Sequence, residues 1–206
     1  MDPVDIVNLG LGWLGKDPIS SLGNPVGKVA ERVARAFPGL RDAVLEDRDW
    51  TFARSRLQIN KDAAPPAFGF TARFVLPAGV LRVITAEEPA GAPGAVDAFA
   101  LSLYGGAGKL EWQKEGRHLL ANTSAALLNI QAIVQVEDSA LWSPGFCQAL
   151  AARLAADLCD AITKNRSLQA DMWQLYQQKL RDAGFNDGRQ GSPGRIRASS
   201  LAARRR

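Results

Sequence analysis

The chain has 206 residues, enough for one domain or for one domain carrying an insertion, and its 47% apolar content is that of a protein with a real core. No stretch reaches about 18 consecutive apolar residues, and the start lacks the basic and long apolar regions of a secretory signal, so neither a transmembrane helix nor a membrane partner is expected. The net charge of +4 hides an asymmetry: residues 188–206 hold six arginines and no acid, while 19 of the 25 basic and all 21 acidic side chains lie before them, leaving that part at −2.

Asp2 and Pro3 read as the cap and first position of a short helix, with Ile6, Leu9, Trp13 and Leu14 on one side and Gly15 as its C-cap. The stretch "NLGLGWLG" places Gly10, Gly12 and Gly15 in the G-x-G-x-x-G spacing of a dinucleotide site. Such a site needs a long helix starting inside the motif to receive the pyrophosphate, then a second strand. Here Pro18, Gly23 and Pro25 follow, so the helix reading stands and no cofactor is expected.

Asn24 and Pro25 read as the start of a second helix, with Val26, Val29, Ala30, Val33, Ala34 and Phe37 as its apolar stripe. Pro38-Gly39 is expected to break it before Leu40, Val44 and Leu45 resume the buried face. From Trp50 to residue 136 the signals are those of short antiparallel strands. "WTFARSRLQI" alternates, and "FGFTARFVLP" places Phe68, Phe70, Ala72 and Phe74 on one side. "VLRVIT", "FALSLYG", "KLEWQKEG", "RHLLAN" and "NIQAIVQV" follow, with a Gly/Ala/Pro loop over 89–96. Ser143 and Pro144 open a third helix with Phe146, Leu150, Leu154, Leu158 and Ile162 at every fourth place. A last helix carries Leu168, Met172, Leu175, Tyr176, Leu180 and Ala183.

The expected fold is therefore α+β. Residues 1–49 and 137–187 form an antiparallel helical bundle, because neither apolar stripe can be buried alone. Residues 50–136 are an inserted β-rich subdomain, and 188–206 an extended basic tail. Trp50 and Phe52, at the change from helical to strand period, are expected to be buried where the two parts meet.

The residues offer no catalytic set. His118 is the single histidine, Cys147 and Cys159 lack a metal-binding spacing and read as buried thiols, and no nucleophile or phosphate-loop motif is present. Asp42, Glu46, Asp47 and Asp49 cluster at a helix end, and Glu87-Glu88 lie beside Pro89. No catalytic, cofactor or metal residue is expected, and the chain reads as a non-enzyme. The tail carries the functional signal. Arg189, Arg195, Arg197, Arg204, Arg205 and Arg206 suit an acidic or phosphate-bearing partner, with Ile196 and Leu201 as apolar anchors. Nucleic acid is the alternative partner for this segment.

Taken in order, the parts resemble the head-to-tail adaptor of short-tailed phages, the tail tubular protein A family. The resemblance rests on "LGKDPISSL", "FPGLRDAVLEDRDWTFA", "FVLPAGVLRV", "VEDSALWSPGFCQALAARLAADL" and "LYQQKLRDAGFND" and covers almost the whole chain. It implies a virion structural protein assembled in the host cytoplasm. Twelve copies would form a ring between the portal protein ring and the tail nozzle protein, extending the channel for packaged DNA. The C-terminal segment, with the arginines named above, would dock against the portal.

Overall fold

The computed structural model describes residues 1–89 and 110–187, the last three of these as backbone alone. The strand expected at "FALSLYG", most of the 89–96 loop and the whole arginine-rich tail lie outside the described residues.

Among the described residues, four helices and two small antiparallel three-stranded sheets make up a mixed α+β structure. The first helix, α1 (Pro3–Trp13), starts at a capping box: Asp2 accepts from the Val4 N–H, and Asp5 accepts from the Asp2 N–H. It ends as the sequence predicts. Gly15 takes φ 64°, its N–H bonds Gly12 O, and the Lys16 N–H bonds Leu11 O, which is a Schellman turn.

Helix α2 (Lys28–Glu46) departs from expectation at two places. It starts at Gly27 rather than at Asn24-Pro25, because Gly27 sits at φ 93°, ψ 157°, where no helix can pass. Val26 is consequently exposed instead of belonging to the apolar stripe. Nor do Pro38 and Gly39 break the helix. Both lie on its exposed face, where water can take the hydrogen bond that Pro38 cannot donate. Phe37, Val44 and Leu45 on the other face stay locked in the core.

Helices α3 (Pro144–Thr163) and α4 (Arg166–Asp187) complete the set. Ser143 caps α3 by accepting the Phe146 N–H, with Pro144 at the first position. Lys164, left-handed at φ 57°, turns the chain into α4. α1, α2 and α4 each pack on α3.

Between α2 and α3 the chain builds strands β1 (Arg54–Asn60), β2 (Ala72–Val75), β3 (Val80–Glu87), β4 (Trp112–Glu115), β5 (His118–Ala121) and β6 (Leu127–Val134). One sheet has the order β1-β6-β3 and the other β2-β5-β4, joined by a bridge between Lys61 and Phe74. Two expectations shift here. Residues 51–53 form a turn of 3-10 helix, so the first strand begins at Arg54 rather than Trp50. Phe68 is 88% exposed on a loop, because Gly69 at φ 82° interrupts the alternation, and β2 starts only at Ala72. Ala72 and Phe74 do point into the core.

Buried side chains fall into separate clusters. The largest gathers the helices around Ile6, Leu11, Val33, Val44, Phe146, Leu150 and Leu154 and takes in Ala53 and Ile133 from the strand region. Another, with Ile59, Phe74, Leu119, Leu128 and Ile130, lies between the two sheets.

Gly10 shows why glycine stands in α1. A Cβ there would lie 2.7 Å from the Ala151 carbonyl oxygen of α3, whereas one on Gly12 would meet nothing within 4 Å. Gly10→Ala should destabilise by about 1–3 kcal/mol, as overpacked contacts do. Gly12→Ala should stabilise by up to about 1 kcal/mol through helix propensity. Paired urea melts check both; equal effects at the two positions would show that the α1–α3 approach is not tight.

Candidate functional site

Three features of the described residues bear on function: an aromatic joint, a polar clasp on α4, and two open surfaces of the β region.

The joint surrounds Trp50 and Phe52. Trp50 is fully buried, Phe52 partly so, and both join the helical core cluster. The Trp50 indole N–H donates to Val44 O at 2.8 Å, so its polar atom is satisfied inside the core. Phe146, in the first turn of α3, stands edge-on to Trp50 and Phe52 at 5.2 Å each and to Trp142 at 5.3 Å. These rings fix the point where the chain leaves α2 for β1 against the point where it enters α3. Arg82 on β3 ties the sheet to the same corner. It donates to Glu46 O at 3.0 Å and pairs with Asp49. Trp50→Ala should cost about 3–5 kcal/mol, the range for emptying a large aromatic site. A thermal midpoint within a degree or two of wild type would contradict this packing.

The clasp uses the acidic cluster that the sequence leaves without partners. Asp47 accepts from the Tyr176 hydroxyl at 2.5 Å and from Arg153 at 3.3 Å. Arg153 lies over the Trp173 and Tyr176 rings, 4.9 and 5.3 Å from their centroids, and also donates to Asp157 at 2.8 Å. One residue on, Arg48 donates to Leu180 O at 2.7 Å, and its guanidinium rests against Gly184. Asp42 is occupied too, pairing with the buried Arg41 and accepting from Gln135. Two consecutive residues after α2 thus hold the helix that leads into the arginine-rich segment. Periodicity could not find this clasp, because Asp47 and Tyr176 are 129 positions apart.

Burial, and then the Asp47 carboxylate, push the Tyr176 hydroxyl above its ordinary value near 10. The folded protein therefore holds that proton more tightly than the unfolded chain does. The contribution is complete below pH about 10 and is lost as pH rises toward the folded value. Tyr176→Phe should destabilise by about 1.5–3 kcal/mol near neutral pH, the range for a hydrogen bond to a charged group. Its stability should also decline less steeply than that of wild type above pH about 10. Parallel slopes in denaturant titrations over the alkaline range would refute the assignment.

The β region presents the two open surfaces. The loop before β2 carries the exposed Phe68. At its base Asp62 accepts from the Ala64 N–H and from Arg73 at 2.7 and 3.0 Å, and these hold its carboxyl below the usual value. Pro66, Phe68, Phe70, Arg73, Glu115 and His118 border an open cleft there. His118 on β5 is half-buried and has no metal-ligand companions; no group of three or more potential ligands occurs among the described residues. The second surface is a concavity of ≈ 350 Å³ on the β1-β6-β3 sheet, lined by Arg56, Gln58, Thr85, Glu87, Asn129 and Gln131.

Cys147 and Cys159 are buried free thiols. The tail residues Arg189, Arg195, Ile196, Arg197, Leu201, Arg204, Arg205 and Arg206 lie outside the described residues. No helix among the described residues is long and apolar enough to cross a membrane. Comparison with protein-family models finds no match, and comparison with curated proteins finds no significant relative.

Proposed function

We propose that this chain is a non-enzymatic virion structural protein, a head-to-tail adaptor that forms a ring between the portal and the tail nozzle and extends the DNA channel. The observation that carries the reading is the order of parts. Among the described residues two helices come first, then six strands in two sheets, then two helices leading into the arginine-rich segment. This is the order in which the sequence resembles the tail tubular protein A family. In this reading residues 1–49 and 137–187 act as one antiparallel helical body and 50–136 as its β-rich insertion.

The docking element is the segment with Arg189, Arg195, Ile196, Arg197, Leu201 and the Arg204-Arg205-Arg206 run. Its composition suits a segment that orders on binding, so assembly is staged: free subunits first, then a twelve-membered ring on the portal. Contacts repeated around the ring make a weak subunit joint tight overall. The nozzle protein would meet the opposite side of the ring. Localisation in the virion neck follows from these contacts.

Deleting residues 189–206 should leave the circular dichroism and the melting temperature nearly unchanged, since the described core contains none of them. Negative-stain images of wild type mixed with its cognate portal should show capped portals, and the deletion should show bare ones. Normal capping by the deleted protein would remove the tail from the joint. Binding of the full chain to DNA that falls steeply with salt, without portal capping, would favour the nucleic-acid reading instead.

A further inference from the structure

We propose that the outer edge of β1 around Arg54–Gln58 is a docking site for an extended acidic segment of a partner protein, which adds to the sheet as a fourth strand. The proposal does not rest on the adaptor reading. It starts from how the four sheet edges end. Sheet edges expose unpaired N–H and C=O groups, and proteins blunt them with short strands or bulges. β2 and β4 are four residues long, and β3 pairs with β6 through two register irregularities. β1 is neither short nor bulged, and its guard is the exposed charge of Arg54 and Arg56, which turns away basic strands but not acidic ones. It runs for seven residues in unbroken register with β6, from Arg54 opposite Ile133 to Asn60 opposite Leu127.

The phase of the ladder shows which groups are open. The Lys61 N–H bonds Ala126 O beside β6. Successive peptide groups of a strand point to alternate sides. The N–H and C=O of Arg56 and Gln58 therefore face away from β6, and among the described residues no backbone hydrogen bond reaches them. Beyond Asn60 the same edge is taken up by β2 through the Lys61–Phe74 bridge, so the open stretch has a defined end.

Charge selects the occupant. Arg54 and Arg56 are exposed and lie two apart, hence on one face of the strand. Arg54 has only a loose partner, Asp49 at 3.9 Å, and Arg56 has none among the described residues. An added strand with acidic residues two apart would set a carboxylate beside each guanidinium, the pairing that arginine geometry favours. The same face continues inward as the row Arg56, Gln131 and Thr85 across the three strands, on the floor of the ≈ 350 Å³ concavity. Gln131 and Thr85 have no side-chain partner among the described residues, so longer side chains of the added strand would find donors there.

The test uses the full chain and a synthetic peptide of alternating Glu and Thr, followed by amide NMR and hydrogen exchange. The Arg56 and Gln58 amides should shift and gain protection, while the Leu57 amide, already facing β6, changes little. A Lys/Thr peptide should not bind. Arg56→Glu should weaken the Glu/Thr peptide by about tenfold. Gln58→Pro, which removes an outward donor but no ladder bond, should abolish binding. Should Gln58→Pro fail to fold, the Arg56→Glu result decides alone. Equal binding of the Lys and Glu peptides would overturn the proposal, as would binding that leaves the Arg56 and Gln58 amides unmoved. Concentration-dependent protection of those amides without peptide would overturn it in favour of a second copy of this chain.

Discussion

Helix α3 is buried nearly all the way round, and the other helices take their places from that fact. An ordinary surface helix buries one stripe, and its opposite face needs no neighbour. α3 buries Phe146, Leu150 and Leu154 on one side and Ala149, Ala152, Ala156 and Cys159 on others, so it must be covered from several directions. α1, α2 and α4 supply the cover. The small side chains between the leucines let these helices approach closely. Ala151 receives α1 at Gly10, and Gly145 lies so near α4 that a Cβ on it would sit 2.8 Å from Ala183.

The β region meets that assembly through α2, where Ile133, Leu81 and Ile84 of the β1-β6-β3 sheet join the helical cluster. The aromatic rings around Phe146 hold the points where the chain enters and leaves the strands, and Arg82 fastens β3 to the end of α2. The two sheets keep a separate cluster of buried side chains between them. An arrangement of this kind leaves the far sheet face and the Phe68 loop free of the helices. Those are the surfaces on which contacts with other molecules cost the fold least.

The sequence made some of this legible and concealed the rest for physical reasons. Local chemistry was readable: Asp2-Pro3, Gly15 and Ser143-Pro144 act within a few residues, and the helix ends fall where they indicate. Trp50 stood out because a large ring at a change of period has to be stowed, and its burial follows. Pro38 misled because propensity is a local penalty, whereas the anchoring of Phe37 and Val44 on the other face is tertiary. Phe68 misled because alternation was carried through Gly69, whose left-handed backbone no regular strand accepts. Gly10 resembled part of a phosphate loop, yet its bare Cα serves a helix contact. As for the candidate site, Asp47, Arg153 and Tyr176 come together only in space, and no spacing rule connects them. The arginine run was obvious from composition and lies outside what the structure describes.

The contact between Arg48 and Gly184 links two positions 136 residues apart into one heritable unit. A Cβ on Gly184 would occupy space held by the Arg48 guanidinium, so a side chain at 184 requires the flexible end of Arg48 to swing aside. A change at 184 thus acts through Arg48, by moving its guanidinium off its present path. Shortening 48 first forfeits the bond to Leu180 O. Either change disturbs the same bond, so their effects on stability should not add. An engineer altering one of the two positions should therefore measure the other in the same background, because the end of α2 and the last turns of α4 respond as one.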